Sequence, residues 1–306
     1  MSPTPDAPPH DGYPTLTEED LPDLYRSADV TSTSGRDRTF WQNRCYLGAI
    51  SLGALAGAIT WKVGSQDLMG WVSVAAFLAS IILALWLGLG KPDEAWYQGR
   101  AAAESVKSLT WCYVAGADPF PIGTPDVDQA LIDRLRQIVD ELSHVDTPVA
   151  TGEQITPGMR ALRTSSFMTR RDTYVVGRIE DQRRWYASKA RFHRRRGRQL
   201  LWGAGLCSLV GLVLGFLRAE GLISLDLLGL FAAIGAALVA ESQLRQHSIN
   251  ASAYALASQE LGMAATLARN AEEAAWPRVV GEAEEAISRE HTMWCARNGI
   301  VSASNG

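Results

Sequence analysis

Four stretches of this chain are long and apolar enough to cross a lipid bilayer, and they limit what the chain can become more than any other feature. They occupy residues 45–63, 68–89, 200–217 and 222–240. Each is close to the ~20 residues that a helix needs to cross ~30 Å of hydrocarbon. Average composition hides this. A hydrophobic fraction of 47% and a net charge of -4 suit a soluble protein, but here the apolar residues are gathered into runs. The remaining residues could not wrap four such helices.

Spacing groups the runs in pairs. Residues 64–67 separate the first two and residues 218–221 the last two, so each pair is expected to form a tight helical hairpin. The expected fold class is an all-α membrane protein with two transmembrane helical hairpins (four spans) and long cytoplasmic helical extensions. Basic residues stay on the cytoplasmic side of a membrane. Arg36, Arg38 and Arg44 precede the first run, and Lys91, Arg100 and Lys107 follow the second. A denser group (Arg183, Arg184, Lys189, Arg191, Arg194, Arg195, Arg196, Arg198) precedes the third. Both termini and the middle segment are therefore expected in the cytoplasm. Arg191, Arg194, Arg195, Arg196 and Arg198 abut the third run, which points to membrane lipid as their partner and not to nucleic acid.

The polar parts divide further. Residues 1–16 are acidic and proline-rich without Lys or Arg, and read as a disordered lead-in with no signal peptide. Residues 17–146 form a first module, with cytoplasmic helices over 91–115 and 125–146. In the latter, Thr124-Pro125-Asp126 reads as a helix start, and Val127, Leu131, Leu135, Ile138, Leu142 and Val145 form an amphipathic stripe. Residues 147–168 read as a linker. Residues 169–306 form a second module, with helices over 241–270 and 276–297. The plan of lead-in helix, hairpin and exit helices occurs twice, as in a divergent tandem duplication.

Small residues recur at helix-packing spacing: Gly53 with Gly57, and Gly211 with Gly215. Such ridges let backbones approach closely in lipid, within a hairpin or between chains. Four residues are candidates for a pore or vestibule. Asp226 and Glu241 flank the fourth run, and Ser73 and Ser80 lie seven apart on the second. Asp226, at a helix start after Ser224, is also placed to complement the helix dipole or pair with Arg218, and this structural reading is the favoured one. The four cysteines contain no C-x-x-C pair, so no disulfide framework or zinc knuckle is expected. His291 and Cys295 are spaced i, i+4 but lack a second ligand pair, so no metal or cofactor is assigned. No nucleotide loop, zincin helix or nucleophile elbow occurs, and no catalytic residue is assigned.

The segment WYQGRAAAESVKSLTWCYVAGADPF carries Trp96, Tyr97, Arg100, Glu104 and Trp111. RRWYASKAR carries Trp185, Tyr186 and Lys189, and EEAISREHTMW carries Glu290 and Trp294. With LPDLYRSAD near the start, these segments resemble the SLATT family, the two-transmembrane effectors that associate with SMODS nucleotidyltransferases and SLOG nucleotide sensors. The resemblance covers nearly the whole chain as two modules in tandem. It implies a multi-pass protein of the inner membrane, acting as an effector in a bacterial conflict or antiviral defence system. The effector would be an oligomeric pore gated by a nucleotide-linked signal from a partner protein that makes or senses the nucleotide. The alternative is a non-conducting membrane anchor that recruits a cytoplasmic partner through its helices.

Overall fold

The computed structural model describes residues 16–59, 61–90, 92–142, 147–223 and 227–297, and among these the chain is almost entirely helical. The ten α-helices are α1 (Asp23–Ala58), α2 (Leu68–Gly90), α3 (Pro92–Ala115), α4 (Val127–Glu141), α5 (Pro157–Arg163), α6 (Phe167–Tyr174), α7 (Asp181–Ala219), α8 (Leu228–Leu244), α9 (His247–Arg269) and α10 (Trp276–Arg297). A π-helical turn, Val175–Glu180, joins α6 to α7. Two short antiparallel strands, β1 (Lys62–Val63) and β2 (Gln66–Asp67), connect α1 to α2. The lead-in expected before residue 17 lies outside the described residues, apart from Leu16.

Among the described residues, three helical stretches are long and apolar enough to cross a membrane: Leu68–Leu89, Phe167–Ala219 and Leu228–Arg269. The run at 45–63 is not helical throughout. Its helix ends at Ala58, and Lys62–Val63 pairs as a strand instead. Gly64 takes φ 63, and the Asp67 side chain accepts from the Trp61 and Gly70 amides, so local turn chemistry claims the end of the run. The helical part from Cys45 spans about 21 Å at 1.5 Å per residue. The run at 222–240 is also shorter as a helix, because α8 begins at Leu228.

Other expected boundaries move too. Val127 opens α4, and Asp126 precedes it in the left-handed region without a capping bond. The expected start at Pro125 is therefore two residues early. The stretch 147–168 is not all irregular. Thr156 caps α5 by accepting from the Met159 amide, and Pro157 takes the first turn, where its missing N–H costs nothing. The expectation of an unbroken helix over 241–270 fails at Gln246, whose φ of 46 interrupts the chain between α8 and α9.

The chain divides into two compact units: residues 1–36, 93–188 and 253–306 form the first, and residues 37–92 and 189–252 the second. In the first unit the amphipathic stripe of α4 is buried as its spacing predicts, at Leu131, Leu135, Ile138 and Leu142. These join Val106, Trp111, Met159, Tyr174, Ile179, Leu261, Trp276 and Val280 in one core. Helices α1 and α3 touch closely there. A Cβ on Gly99 would lie 2.7 Å from the Ser32 amide nitrogen and 2.9 Å from the Ala28 carbonyl oxygen.

The second unit is built differently. Most large apolar side chains of α2 and of α7 beyond Leu200 are exposed, among them Leu78, Ile82, Leu85, Leu209, Leu212 and Phe216. Its interior contacts fall on small residues. A Cβ on Gly53 would meet the Phe77 ring at 3.1 Å, and one on Gly211 would meet Phe231 at 3.4 Å. Gly57 and Gly215 face Ser73 and Leu228. The expected glycine ridges thus lie against neighbouring helices of the same chain.

Candidate functional site

Within the first unit, the chemistry converges on a buried ion pair that the sequence did not announce. The π-helical turn turns Arg178 inward until only 1% of its side chain is exposed. Glu284 of α10 meets it in a fork: Nε donates to Oε1 at 2.9 Å and Nη2 to Oε2 at 2.7 Å. The carboxylate also accepts from the Tyr174 hydroxyl at 2.9 Å and the Ser108 hydroxyl at 2.6 Å. A bidentate guanidinium–carboxylate pair with further donors can offset the loss of water around two charges, and removing one partner leaves the other stranded. Arg178 Nη1 has no hydrogen-bond partner in this interior, and neither does the Trp111 indole nitrogen.

Aromatic rings close the cluster. Trp111 meets Tyr174 edge-on at 5.9 Å, and Tyr174 meets Trp276 at 5.6 Å. Trp276 donates to the Ala115 carbonyl at 2.9 Å. Burial pushes the Cys112 thiol well above its usual range, which keeps it an unreactive packing group. At the edge of this unit, Tyr113 donates to Asp128, which also pairs with Arg160. Burial raises the Asp128 pKa, but the Tyr113 and Arg160 bonds outweigh it and the net shift is downward. Burial raises the Tyr113 pKa to about 12.

The motif residues from the sequence fall mostly into this unit. Trp96 stacks on Tyr97 at 4.9 Å, and Arg100 pairs with Glu104 at 3.0 Å. Arg100 also lies over the Trp185 ring at 5.5 Å, and Trp185, Tyr186 and Tyr254 form a further aromatic group. Trp111 belongs to the ion-pair cluster. Lys189 belongs to the second unit. Glu290 and Trp294 lie in α10, but their side chains are outside the described ones, as are those of His291 and Cys295. Arg178, Glu284, Ser108 and Tyr174 were missed because the pair is joined across 106 residues, with no local spacing to betray it.

The pore candidates belong to the second unit. Ser73 donates to the Gly53 carbonyl at 2.9 Å, and Ser80 to the Phe77 carbonyl of its own helix at 2.7 Å. Glu241 pairs with Arg245 at 2.5 Å, and that guanidinium covers the Phe40 ring at 4.1 Å. Asp226 lies outside the described residues. Arg191, Arg194, Arg195, Arg196 and Arg198 are all exposed. Among the described residues no group of three or more His, Cys, Asp or Glu is placed to hold a metal ion.

Comparison with known families divides the chain between two matches. Residues 22–171 match the SMODS and SLOG-associating 2TM effector domain 3, and residues 174–294 match the SMODS and SLOG-associating 2TM effector domain 1. No curated protein and no solved structure matches the chain. Both compact units draw on both matched segments. In the ion-pair cluster, Ser108 and Trp111 come from the first match, and Tyr174, Arg178, Trp276 and Glu284 from the second. The first match opens on α1, α2, α3 and α4, and the second holds α7, α8, α9 and α10. The chain is therefore a member of the SLATT family of SMODS and SLOG-associating two-transmembrane effectors, carrying two of its domains in tandem.

Proposed function

We propose that the chain is a multi-pass inner-membrane effector of a bacterial conflict system, non-enzymatic, and active as an oligomeric pore. The observation that carries this reading is the bareness of the apolar helices. In each of the three span-capable stretches, at most 17% of the most apolar window is buried within the protein. Leucine, isoleucine and phenylalanine faces of that size need lipid or other copies of the chain around them. The 45–58 end of α1 supplies a fourth crossing in this reading. Its Gly53 and Gly57 lie against Phe77 and Ser73 of α2, so the two helices form a hairpin, and α7 with α8 forms the other. A crossing of about 21 Å is accommodated by local thinning of the bilayer.

Both termini and the segment between the hairpins face the cytoplasm, because the arginine-rich start of α7 resists transfer against the membrane potential at ~2.3 kcal/mol per charge per 100 mV. The trigger is a nucleotide-linked signal relayed by a partner protein, in keeping with the association that gives the family its name. Four crossings enclose little space, so conduction requires several chains.

The test is expression with and without the neighbouring signalling protein, read by a potential-sensitive dye. Loss of membrane potential when the partner is active is the expected result. Normal potential under both conditions, with a specific soluble protein retained at the membrane, would favour a non-conducting anchor. Orientation is tested by single cysteines in a background without native ones. An impermeant thiol reagent should label Ser65→Cys and Glu220→Cys in intact cells, and leave Ser105→Cys unlabelled.

A further inference from the structure

The arginines that enter α7 are paired with acids, and those that precede its apolar run are not. Arg170 pairs with Glu273, Arg171 with Asp172, Arg178 with Glu284, Arg183 with Glu180 and Arg184 with Asp181. From residue 182 to residue 219 the sequence contains no acidic residue. Among the described residues no ion pair or hydrogen bond engages Arg191, Arg194, Arg195 or Arg198, and all four are exposed.

Their spacing puts them on one side of the helix. At about 100° per residue, Arg191, Arg194, Arg195 and Arg198 fall within a single arc, and Trp202 continues it one turn further on. Trp202 is 78% exposed. The other side of the same helix is occupied within the second unit. A Cβ on Gly197 would lie 3.2 Å from His247 Cβ, and His193 Nδ1 lies 2.9 Å from His247 Nδ1. Arg196 faces that way and acts on His247 through its charge. Four unpaired guanidinium forks thus form a stripe about 10 Å long, and the indole extends it to about 16 Å, into the apolar run.

We infer that this stripe is a binding site for the phosphodiester headgroups of anionic glycerophospholipids, with Arg191, Arg194, Arg195 and Arg198 as the phosphate donors and Trp202 at the interface below them. The inference rests on the reading of α7 as a membrane crossing. It differs from a general preference of positive charge for the cytoplasmic side, since it requires guanidinium forks. Two parallel N–H donors match two phosphate oxygens, whereas a lysine offers only a compact point charge. Lipid is favoured over nucleic acid because the stripe ends in exposed Leu201, Trp202 and Leu206, which a phosphate backbone in water would leave uncovered.

The experiment compares the full-length protein with R191K/R194K/R195K/R198K, which keeps every charge, and with the corresponding four-fold Arg→Gln variant. Each is purified from membranes into neutral detergent, exchanged against a phosphatidylglycerol and phosphatidylcholine mixture, and the retained lipid is quantified by mass spectrometry. The wild type should retain phosphatidylglycerol over phosphatidylcholine. The four-lysine variant should integrate normally yet retain about fivefold less, and the glutamine variant less again. Equal retention by the four-lysine variant would reduce the stripe to a charge effect and overturn the site. So would equal retention of the two lipids by the wild type, or release of the lipid by a short single-stranded RNA. Extraction of the wild type from membranes by alkaline carbonate would overturn the membrane reading itself. An integrated protein without headgroup preference would overturn only the site.

Discussion

The first unit hides its charges and the second leaves its hydrocarbon bare, although α1, α7 and α9 each contribute residues to both. In the first, a guanidinium and a carboxylate are buried together among tryptophans, tyrosines and leucines. In the second, leucines and phenylalanines stand exposed on α2 and α7, and glycines make the close contacts. A region folded against water has its apolar groups inside and tolerates buried charge only when it is paired. A region folded against lipid has no such gradient and packs by shape. Single helices of this chain thus pass from a part with a buried polar interior to a part with bare apolar faces.

The largest expected break in that contrast comes from the buried pair. Glu284→Ala strands Arg178 and should cost about 3–5 kcal/mol in chemical denaturation of the purified protein. Arg178→Met combined with Glu284→Met should recover much of that loss; a double variant as unstable as the single one would show that the pair contributes more than compensation. The same truncation made in each unit sharpens the comparison. Leu131→Ala, at a fully buried site, should cost about 2–5 kcal/mol, and Leu209→Ala, 57% exposed, less than about 0.5 kcal/mol. Equal losses at both positions would mean that Leu209 is covered by protein.

Gly99→Ala should follow, at about 1–3 kcal/mol, because its Cβ meets backbone atoms of α1 that cannot turn aside. Gly229→Ala in α8, with open space around it, is the neutral counterpart. The smallest effect concerns pH. The folded-state pKa of Asp128 lies below its ordinary 3.8, so its contribution is present above that value and is lost as pH falls through the lower folded-state one. Asp128→Asn should flatten the stability profile below about pH 4. The effect is small because the side chain is 39% exposed and its pairing with Arg160 is screened.

Legibility followed the range of the forces involved. The run at 68–89 and the third run were readable because composition alone makes them apolar helices, and the α4 stripe because its spacing is local. The motif residues were readable as segments, but nothing in them tells that Arg100 lies over Trp185. The end of α1 at Ala58 was missed because the Asp67 side chain fixes a turn within an apolar-looking stretch. Helix α5 was missed since seven residues carry little periodicity, and Met159 and Leu162 owe their burial to distant parts of the first unit. Of the pore candidates, Ser73 was visible as a polar residue on an apolar run and Glu241 as one beside a run. Their partners, Gly53 and Arg245, were not singled out for those bonds.

The shared ion-pair cluster has a consequence for how the protein responds to its own abundance. Two separate chains meeting through such a cluster would obey mass action, and dilution in a sparsely expressed cell would pull them apart. Here the two domains, joined by Ser108 on Glu284 and Trp111 on Tyr174, are tethered in one polypeptide, so their meeting is a first-order event that copy number does not govern. Any threshold in expression then belongs to steps between chains. The fixed one-to-one ratio also frees the two domains from being alike: the acid-free arginine stripe leads into the apolar run of α7 alone, and the part of α1 before its own run carries Asp29 and Asp37 among its basic residues. Tethering turns a symmetric pair into one that can divide its labour.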